Sequence, residues 1–355
     1  IRLSLVGSEM CIRDRPTHDL VKLQLPLGIS RFMGRICPLH HGARSSRTYP
    51  AMARKMDHLR HPGRTRVSIV VAPSPEQHPF ERLYTRLCDI LGANGSSLSS
   101  TPSNDVVGNY SCDDSTFTPS QADAQWALAR IPLEEQALVE HAVPARQWEF
   151  ARTRELAHSA LTQLGEPSAV VLRDSKRAPL WPEGITGSLT HTRGLQAVLA
   201  AHQGNILSIG LDAEIAQPLS PDVLRTVTTP QERLLLQQQT AQLPLGIVLF
   251  SAKESLYKAW YPLTQEWLGF TDAHLELTTQ NVSSHHHSTT PTAATIKETR
   301  EIRGSGTFVA RVQTPVIERH RQKSPMSQYF AECTGLWEVG DGVIITALVV
   351  TTPRL

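Results

Sequence analysis

Phe250-Ser-Ala-Lys-Glu-Ser-Leu-Tyr-Lys-Ala-Trp260 is the stretch on which the reading of this 355-residue chain turns. Leu249, Leu256, Trp260 and Leu263 fall at helical spacing and form one apolar stripe, within a helix expected from about Leu245 to Leu263. Glu254 and Lys258, at i and i+4, lie on roughly the opposite side. Taken alone they read as an ordinary solvated pair, contributing about 0.2–0.5 kcal/mol.

Two stretches upstream change that reading. Ile209-Gly-Leu-Asp-Ala-Glu214 closes a strand, so Asp212 and Glu214, at i and i+2, share a face. Two carboxylates side by side repel unless a cation sits between them, and hard oxygens suit Mg2+. A solvated strand end is the alternative. Further upstream, Trp181-Pro-Glu-Gly-Ile-Thr-Gly-Ser-Leu-Thr-His-Thr192 reads as a glycine- and hydroxyl-rich loop preceding a strand. Such a loop offers backbone N–H groups, hydroxyls and an imidazole to a phosphate; a polar turn with a structurally bonded histidine is the alternative. Together the three stretches supply an anion site, a carboxylate pair, and a helix with one more carboxylate and a lysine. Phosphoryl-type transfer is mostly positioning and charge neutralisation, and needs this set of parts.

Composition narrows the classes. Hydrophobic residues make up 40% of the chain, and the net charge of +2 is not gathered into a dense basic block, so nothing points to nucleic acid. No apolar run approaches the length needed to cross a bilayer; Val343 to Val350 is short and β-branched and reads as a buried strand. Five scattered cysteines without a C-x-x-C pair argue against a disulfide framework or a zinc site, and for a reducing cytoplasm.

Three zones follow along the chain. Residues 1–92 form a poorly defined amino-terminal extension. Its first fifteen residues resemble translated adaptor sequence and are expected to be foreign to the protein, with Met33, Met52 and Met56 as candidate internal starts. Within the extension, Thr65 to Val71 alternates like a strand and Pro79 to Leu91 has helical spacing. Residues 93–123, rich in Ser, Thr, Asn, Asp and Gly, read as a flexible linker. From residue 124 the pattern becomes globular. Helices are expected at Leu133 to Ala142, Arg146 to Leu164 and Gln231 to Gln239, a hairpin joins Gln196–Ala201 to Ile206–Leu211, and strands fall at Ala169–Arg173, Asp272–Thr278 and Thr307–Val312. Residues 279–304, with His285-His286-His287, read as a disordered hairpin insertion rather than a metal site.

In their order the three motifs resemble the 4′-phosphopantetheinyl transferase superfamily, in its enterobactin-synthetase type. Its W-P-x-G-x-x-G-S-x-T-H pattern is met from Trp181 to His191, G-[IL]-D-x-E from Gly210 to Glu214, and K-E-S-x-x-K-A from Lys253 to Ala259. Arg146, Glu149, Phe150 and Arg154 match an upstream R-x-x-E-F-x-x-x-R helix, and Arg177 with Pro179 matches a basic residue before the tryptophan. The Tyr261–Leu263, Trp267–Phe270 and Gly342–Ala347 segments extend the likeness over about residues 124–355.

The resemblance implies an α+β fold of two similar halves with pseudo-twofold symmetry, 124–230 and 231–355, and an active site in the cleft between them. It implies Mg2+-dependent transfer of the phosphopantetheine arm of coenzyme A to a serine of an apo acyl or peptidyl carrier protein, releasing 3′,5′-ADP, by a cytoplasmic monomer. Siderophore synthesis is one such setting. Asp212, Glu214 and Glu254 would hold the metal. Glu254 would act as base, and Lys258 would stabilise or protonate the departing phosphate. Thr190 and His191 would grip coenzyme A phosphates, with Arg146, Arg154 and Arg177 at its 3′-phosphate end. A non-catalytic module binding coenzyme A or a carrier protein, and a metal-dependent phosphodiesterase, are the competing readings.

Overall fold

Two twenty-residue helices, each laid across an antiparallel sheet, organise the chain. The structure is a computed structural model that describes residues 64–67, 78–93, 106–114, 116–238, 243–286 and 300–352. The adaptor-like start, the candidate internal starts and the side chains of the histidine triplet lie outside the described residues. In chain order the elements are β1 (Arg64–Val67), α1 (Pro79–Ala93), β2 (Val106–Cys112), α2 (Gln121–Leu128), α3 (Leu133–Gln136), α4 (Pro144–Gln163), β3 (Leu172–Arg173), β4 (Pro179–Leu180), β5 (Ile185–Thr192), β6 (Leu195–His202) and β7 (Ile206–Ile215). They continue with α5 (Pro221–Val227), α6 (Pro230–Gln238), α7 (Leu245–Thr264), β8 (Ala273–His286), β9 (Arg300–Val312), α8 (Thr314–Arg321), β10 (Cys333–Gly340) and β11 (Val343–Thr351).

The first sheet has the order β1-β2-β6-β5 and the second β7-β11-β10-β9-β8, with β3-β4 a separate small hairpin. Helix α4 starts at Pro144, whose missing N–H costs nothing in a first turn, and Gly165 takes a positive φ just past its end. Its Leu156, Ala157, Ala160 and Leu161 pack on Leu189, Val198 and Ala200 of the first sheet. Helix α7 packs Leu256 and Trp260 against Ile344 and Leu348 of the second. Period-two alternation sends Leu195, Ala197 and Leu199 of β6, with Val343, Ile345 and Ala347 of β11, into a third core shared by both sheets. This is the α+β, two-half architecture expected.

Several local expectations are corrected. The polar stretch 93–123 carries β2, buried and paired along its length with β6. Its composition hid a strand whose apolar burial comes mainly from Val106, Val107 and Tyr110. The expected hairpin of β6 with β7 does not form, because β2 and β5 already flank β6 and β7 instead pairs with β11. The sheets therefore part between β6 and β7, not near residue 230. Trp181–Thr192 is not a loop throughout: Ile185–Thr192 is a strand buried over its whole length. Of the 279–304 segment, residues 279–286 and 300–304 extend β8 and β9, which pair out to His286 and Arg300. Leu133–Ala142 breaks into α3 and a 3-10 turn.

Helix α1, placed in the extension, is integral. Phe80, Leu83 and Leu87 enter the core shared by the two sheets, each such burial contributing about 1.5–3 kcal/mol. Arg82 and Arg86 reach β10 and hold the buried Glu338 at 3.0 and 2.6 Å.

Candidate active site

The two sheets meet edge to edge at β5 and β7, and the motif residues line that seam. Along β5 the odd-numbered Leu189 faces α4, while Ser188 and Thr190 face β7. β7 is an edge strand, so the N–H groups of Leu211 and Ala213 point away from its ladder with β11. Ser188 Oγ accepts from Leu211 N at 3.0 Å and Thr190 Oγ1 from Ala213 N at 2.9 Å. From the other side α7 presses close: a Cβ on Gly210 would lie 1.9 Å from Ser255 O, which accounts for the glycine of G-L-D-x-E. Gly187 is needed for a similar reason, since a Cβ there would meet the Trp181 ring at 2.6 Å.

Asp212 lies at the centre of this packing. Lys258 Nζ donates to its Oδ1 at 2.9 Å, and Ser251 Oγ donates to its Oδ2 at 2.8 Å. Lys258 also donates to Leu211 O at 2.7 Å and Leu189 O at 3.2 Å, so one ammonium ties α7, β5 and β7 together. Ser251 and Ser255 further engage Thr346 of β11. Glu254 and Lys258 are 3% and 5% exposed, which overturns the solvated-pair reading of that helix. Burial raises the Asp212 carboxyl despite Lys258. Glu214 is raised well above the carboxylate range, first by burial and then by repulsion from Asp212 and Glu254, with Lys258 opposing. The structure thus brings three buried carboxylates within electrostatic reach of one another around a single ammonium.

Among the described residues no three His, Cys, Asp or Glu side chains are gathered tightly enough to close round a metal ion as they stand. The donor set nonetheless fits a hard divalent cation. It is all-oxygen and buried, and Glu214 is raised there first by burial and then by repulsion from Asp212 and Glu254, a repulsion that a divalent cation would relieve.

His191, on the α4 side of β5, is 2% exposed. Arg146 Nη1 lies 2.5 Å from its Nε2, and Glu149 Oε2 lies 3.6 Å from its Nδ1. A guanidinium can only donate, so Nε2 accepts and the neutral ring carries its proton on Nδ1. Burial, then the charges of Arg146 and Lys258, hold the imidazole well below its usual range. Burial raises the Glu149 carboxyl against the pull of Arg146 and Arg193.

The other expected site residues fall differently. Arg154 is fully buried, 4.8 Å over the Phe150 ring and 3.8 Å from Glu135, which also accepts from Val171 N and faces His158. It stands in the core of the first half, away from any surface. Arg177 sits exposed on the β3–β4 turn with φ 68°, and the same turn is tied to α7 by Tyr261 donating to Asp174 Oδ2 at 3.0 Å. Only Arg146 of the three arginines lies beside His191. Sequence reading missed Ser188, Ser251, Ser255 and Thr346; the run of hydroxyls at Thr186, Ser188, Thr190 and Thr192, every second residue, was the signal that this stretch is a strand with a polar face.

Comparison with known proteins agrees with this anatomy. The sequence model for the 4′-phosphopantetheinyl transferase N-terminal domain matches residues 134–201, and that for the 4′-phosphopantetheinyl transferase superfamily matches 208–312, the same parting as the sheets. The chain is 35% identical over 221 residues to the 4′-phosphopantetheinyl transferase Npt of Nocardia iowensis, covering 62% of this chain and 89% of that protein. It is 34% identical over 220 residues to PptT of Mycobacterium tuberculosis, covering 61% and 86%. Enterobactin synthase component D of Salmonella typhi is 33% identical over 118 residues, covering 32% and 48%. With the motifs meeting at one seam and Npt and PptT matched over most of their own length, the chain belongs to the 4′-phosphopantetheinyl transferase superfamily.

Proposed function

We propose that this chain transfers the phosphopantetheine arm of coenzyme A to a serine hydroxyl of an apo carrier protein, and that the β5–β7–α7 seam is where it does so. The observation that carries the siting is the crowding of Asp212, Glu214 and Glu254: burial and then repulsion from Asp212 and Glu254 raise Glu214, and a divalent cation would relieve that repulsion. Asp212, Glu214 and Glu254 would hold Mg2+. When bound, the ion would neutralise the coenzyme A diphosphate and make 3′,5′-ADP a better leaving group.

The chain's own residues supply the rest. Glu254, on α7 beside this cluster, takes the proton of the attacking serine, directly or through a water. As the serine oxygen bonds to the β-phosphorus, the bond to the bridging diphosphate oxygen breaks and 3′,5′-ADP departs with that oxygen. Lys258, anchored on Asp212 and two carbonyls, faces the departing phosphate with its charge, which also opposes the upward push of burial on Asp212. Arg146 and His191 form the phosphate grip, because Arg146 is a permanent cation and Nε2, once phosphate draws Arg146 off it, can take up a proton beside the anion and donate. Thr190 places its hydroxyl between that grip and β7. Arg177 serves the 3′-phosphate end. Arg154, fully buried over Phe150 and beside Glu135, braces α4, the helix that also carries Arg146.

Among the described residues no helix is long and apolar enough to cross a membrane. The test is incubation with a panel of apo acyl and peptidyl carrier proteins, coenzyme A and Mg2+, followed by weighing the carrier. The expected result is one phosphopantetheine added to the acceptor serine. Hydrolysis of coenzyme A without acceptor modification would favour a phosphodiesterase, and chelator-insensitive coenzyme A binding without turnover a non-catalytic module.

A further inference from the structure

The mechanism above leaves Ser188 unused, although it occupies a singular position. β5 and β7 are the facing edges of two different sheets and share no ladder. Without a strand partner, the outward N–H of Leu211 would be a buried orphan donor. Ser188 Oγ supplies the missing acceptor at 3.0 Å, and Ser188 is itself 3% exposed. The carbonyl of the same Leu211 accepts from Lys258 Nζ at 2.7 Å. Leu211 is therefore gripped at both its N–H and its C=O, by groups from β5 and α7, immediately before Asp212. On the far side Gly210 abuts Ser255 O, so β7 cannot slide toward α7 to compensate.

We infer that Ser188 is a positioning residue: its hydroxyl fixes the backbone that carries Asp212 and Glu214, and so sets how well the three carboxylates close on a divalent cation. The inference rests on the metal reading of the site. A preformed ligand set loses less on binding than one that must first be ordered, so loosening Leu211 weakens cation affinity without removing a ligand.

The experiment is Mg2+ titration of the full chain by calorimetry, with thermal denaturation of each variant. Asp212→Ala is the control for the metal reading and Ser208→Ala the control for mere destabilisation. Ser208 lies on β7 itself and donates to Ala259 O at 2.9 Å, a buried hydroxyl-to-backbone bond that does not touch Leu211. Ser188→Ala is expected to weaken Mg2+ binding about tenfold, equivalent to about 1.4 kcal/mol, whereas Ser208→Ala lowers the melting temperature and leaves Mg2+ affinity unchanged. Ser188→Thr, which keeps the hydroxyl, should restore binding. If Ser188→Ala does not fold, Ser188→Cys, whose sulfur is a weak acceptor, should show a smaller loss of affinity. Unchanged affinity in a folded Ser188→Ala or Ser188→Cys protein, with Asp212→Ala abolishing binding, would overturn the role of Ser188 alone. No binding by the wild type, or binding retained in Asp212→Ala, would overturn the metal reading beneath it.

Discussion

Helix α7 carries two buried lysines five residues apart, and they keep very different company. Lys253 donates to Glu232 Oε2 at 2.8 Å and to Phe270 O at 2.7 Å. Glu232 is fully buried and also accepts from Thr229 N and Leu275 N, capping α6 and pinning β8. One charge meets one charge, and every carboxylate oxygen has a donor. Lys258 meets Asp212 in the same way but with Glu214 and Glu254 crowded in beside it. Burial and a salt bridge are common to both regions, so neither marks chemistry. The crowding of carboxylates does: one carboxylate faces Lys253, whereas Asp212, Glu214 and Glu254 gather around Lys258.

The largest effects should come from removing ligands of the second network. Asp212→Ala or Glu254→Gln is expected to lower transfer at least about a thousandfold, roughly 4 kcal/mol of barrier, with far-ultraviolet circular dichroism unchanged. Carrier mass after a fixed incubation reads the first quantity. Retained activity in either variant would remove that residue from the site.

Breaking the Lys253 network should do the reverse. Glu232→Gln leaves Lys253 buried with no counter-charge and should cost about 3–5 kcal/mol of stability, while turnover per folded molecule stays at the wild-type level. Denaturant titration alongside the carrier assay separates the two. A Glu232→Gln protein that is stable but inactive would erase the contrast between the lysines.

Smaller still is the effect of pH. Folding raises the Glu214 carboxyl well above its ordinary value, so the folded state binds that proton more tightly than the unfolded chain does. Its contribution to stability is complete below the ordinary value of 4.5 and is lost as pH rises through the folded value. Mg2+ needs the ionised form and acts in the opposite sense. The melting temperature gained on adding Mg2+ should therefore grow from about pH 5 to about pH 8, approaching the equivalent of about 2.7 kcal/mol at a hundred times the dissociation constant. Glu214→Gln should flatten the metal-free slope over that range. An unchanged slope would mean that Glu214 does not titrate with the cluster.

Much of this was legible in the sequence because local rules governed it. Glu254 and Lys258 share a helix face at i and i+4, and Asp212 and Glu214 share a strand face at i and i+2. Helix α4 announced its ends with Pro144 and Gly165. What stayed hidden depends on contacts between distant segments. Trp181–Thr192 looked like a loop because its hydroxyls were read as ligands for an anion, when Ser188 and Thr190 face the edge of another sheet. β2 went unseen because polar neighbours diluted a strand whose burial is supplied by β6 and α1. Arg154 carried no mark distinguishing a phosphate ligand from a core residue, since only the fold places it over Phe150.

Burial beside one lysine is common to both regions; the crowding of three carboxylates is what would make the Lys258 region a cation site. Counting Mn2+ bound by electron paramagnetic resonance, in parallel for wild type, Asp212→Ala and Glu232→Gln without coenzyme A, tests it most directly. About one ion on the wild type and on folded Glu232→Gln, and none on Asp212→Ala, is the expected pattern. Equal binding by the wild type and Asp212→Ala, or no ion on the wild type, would contradict it.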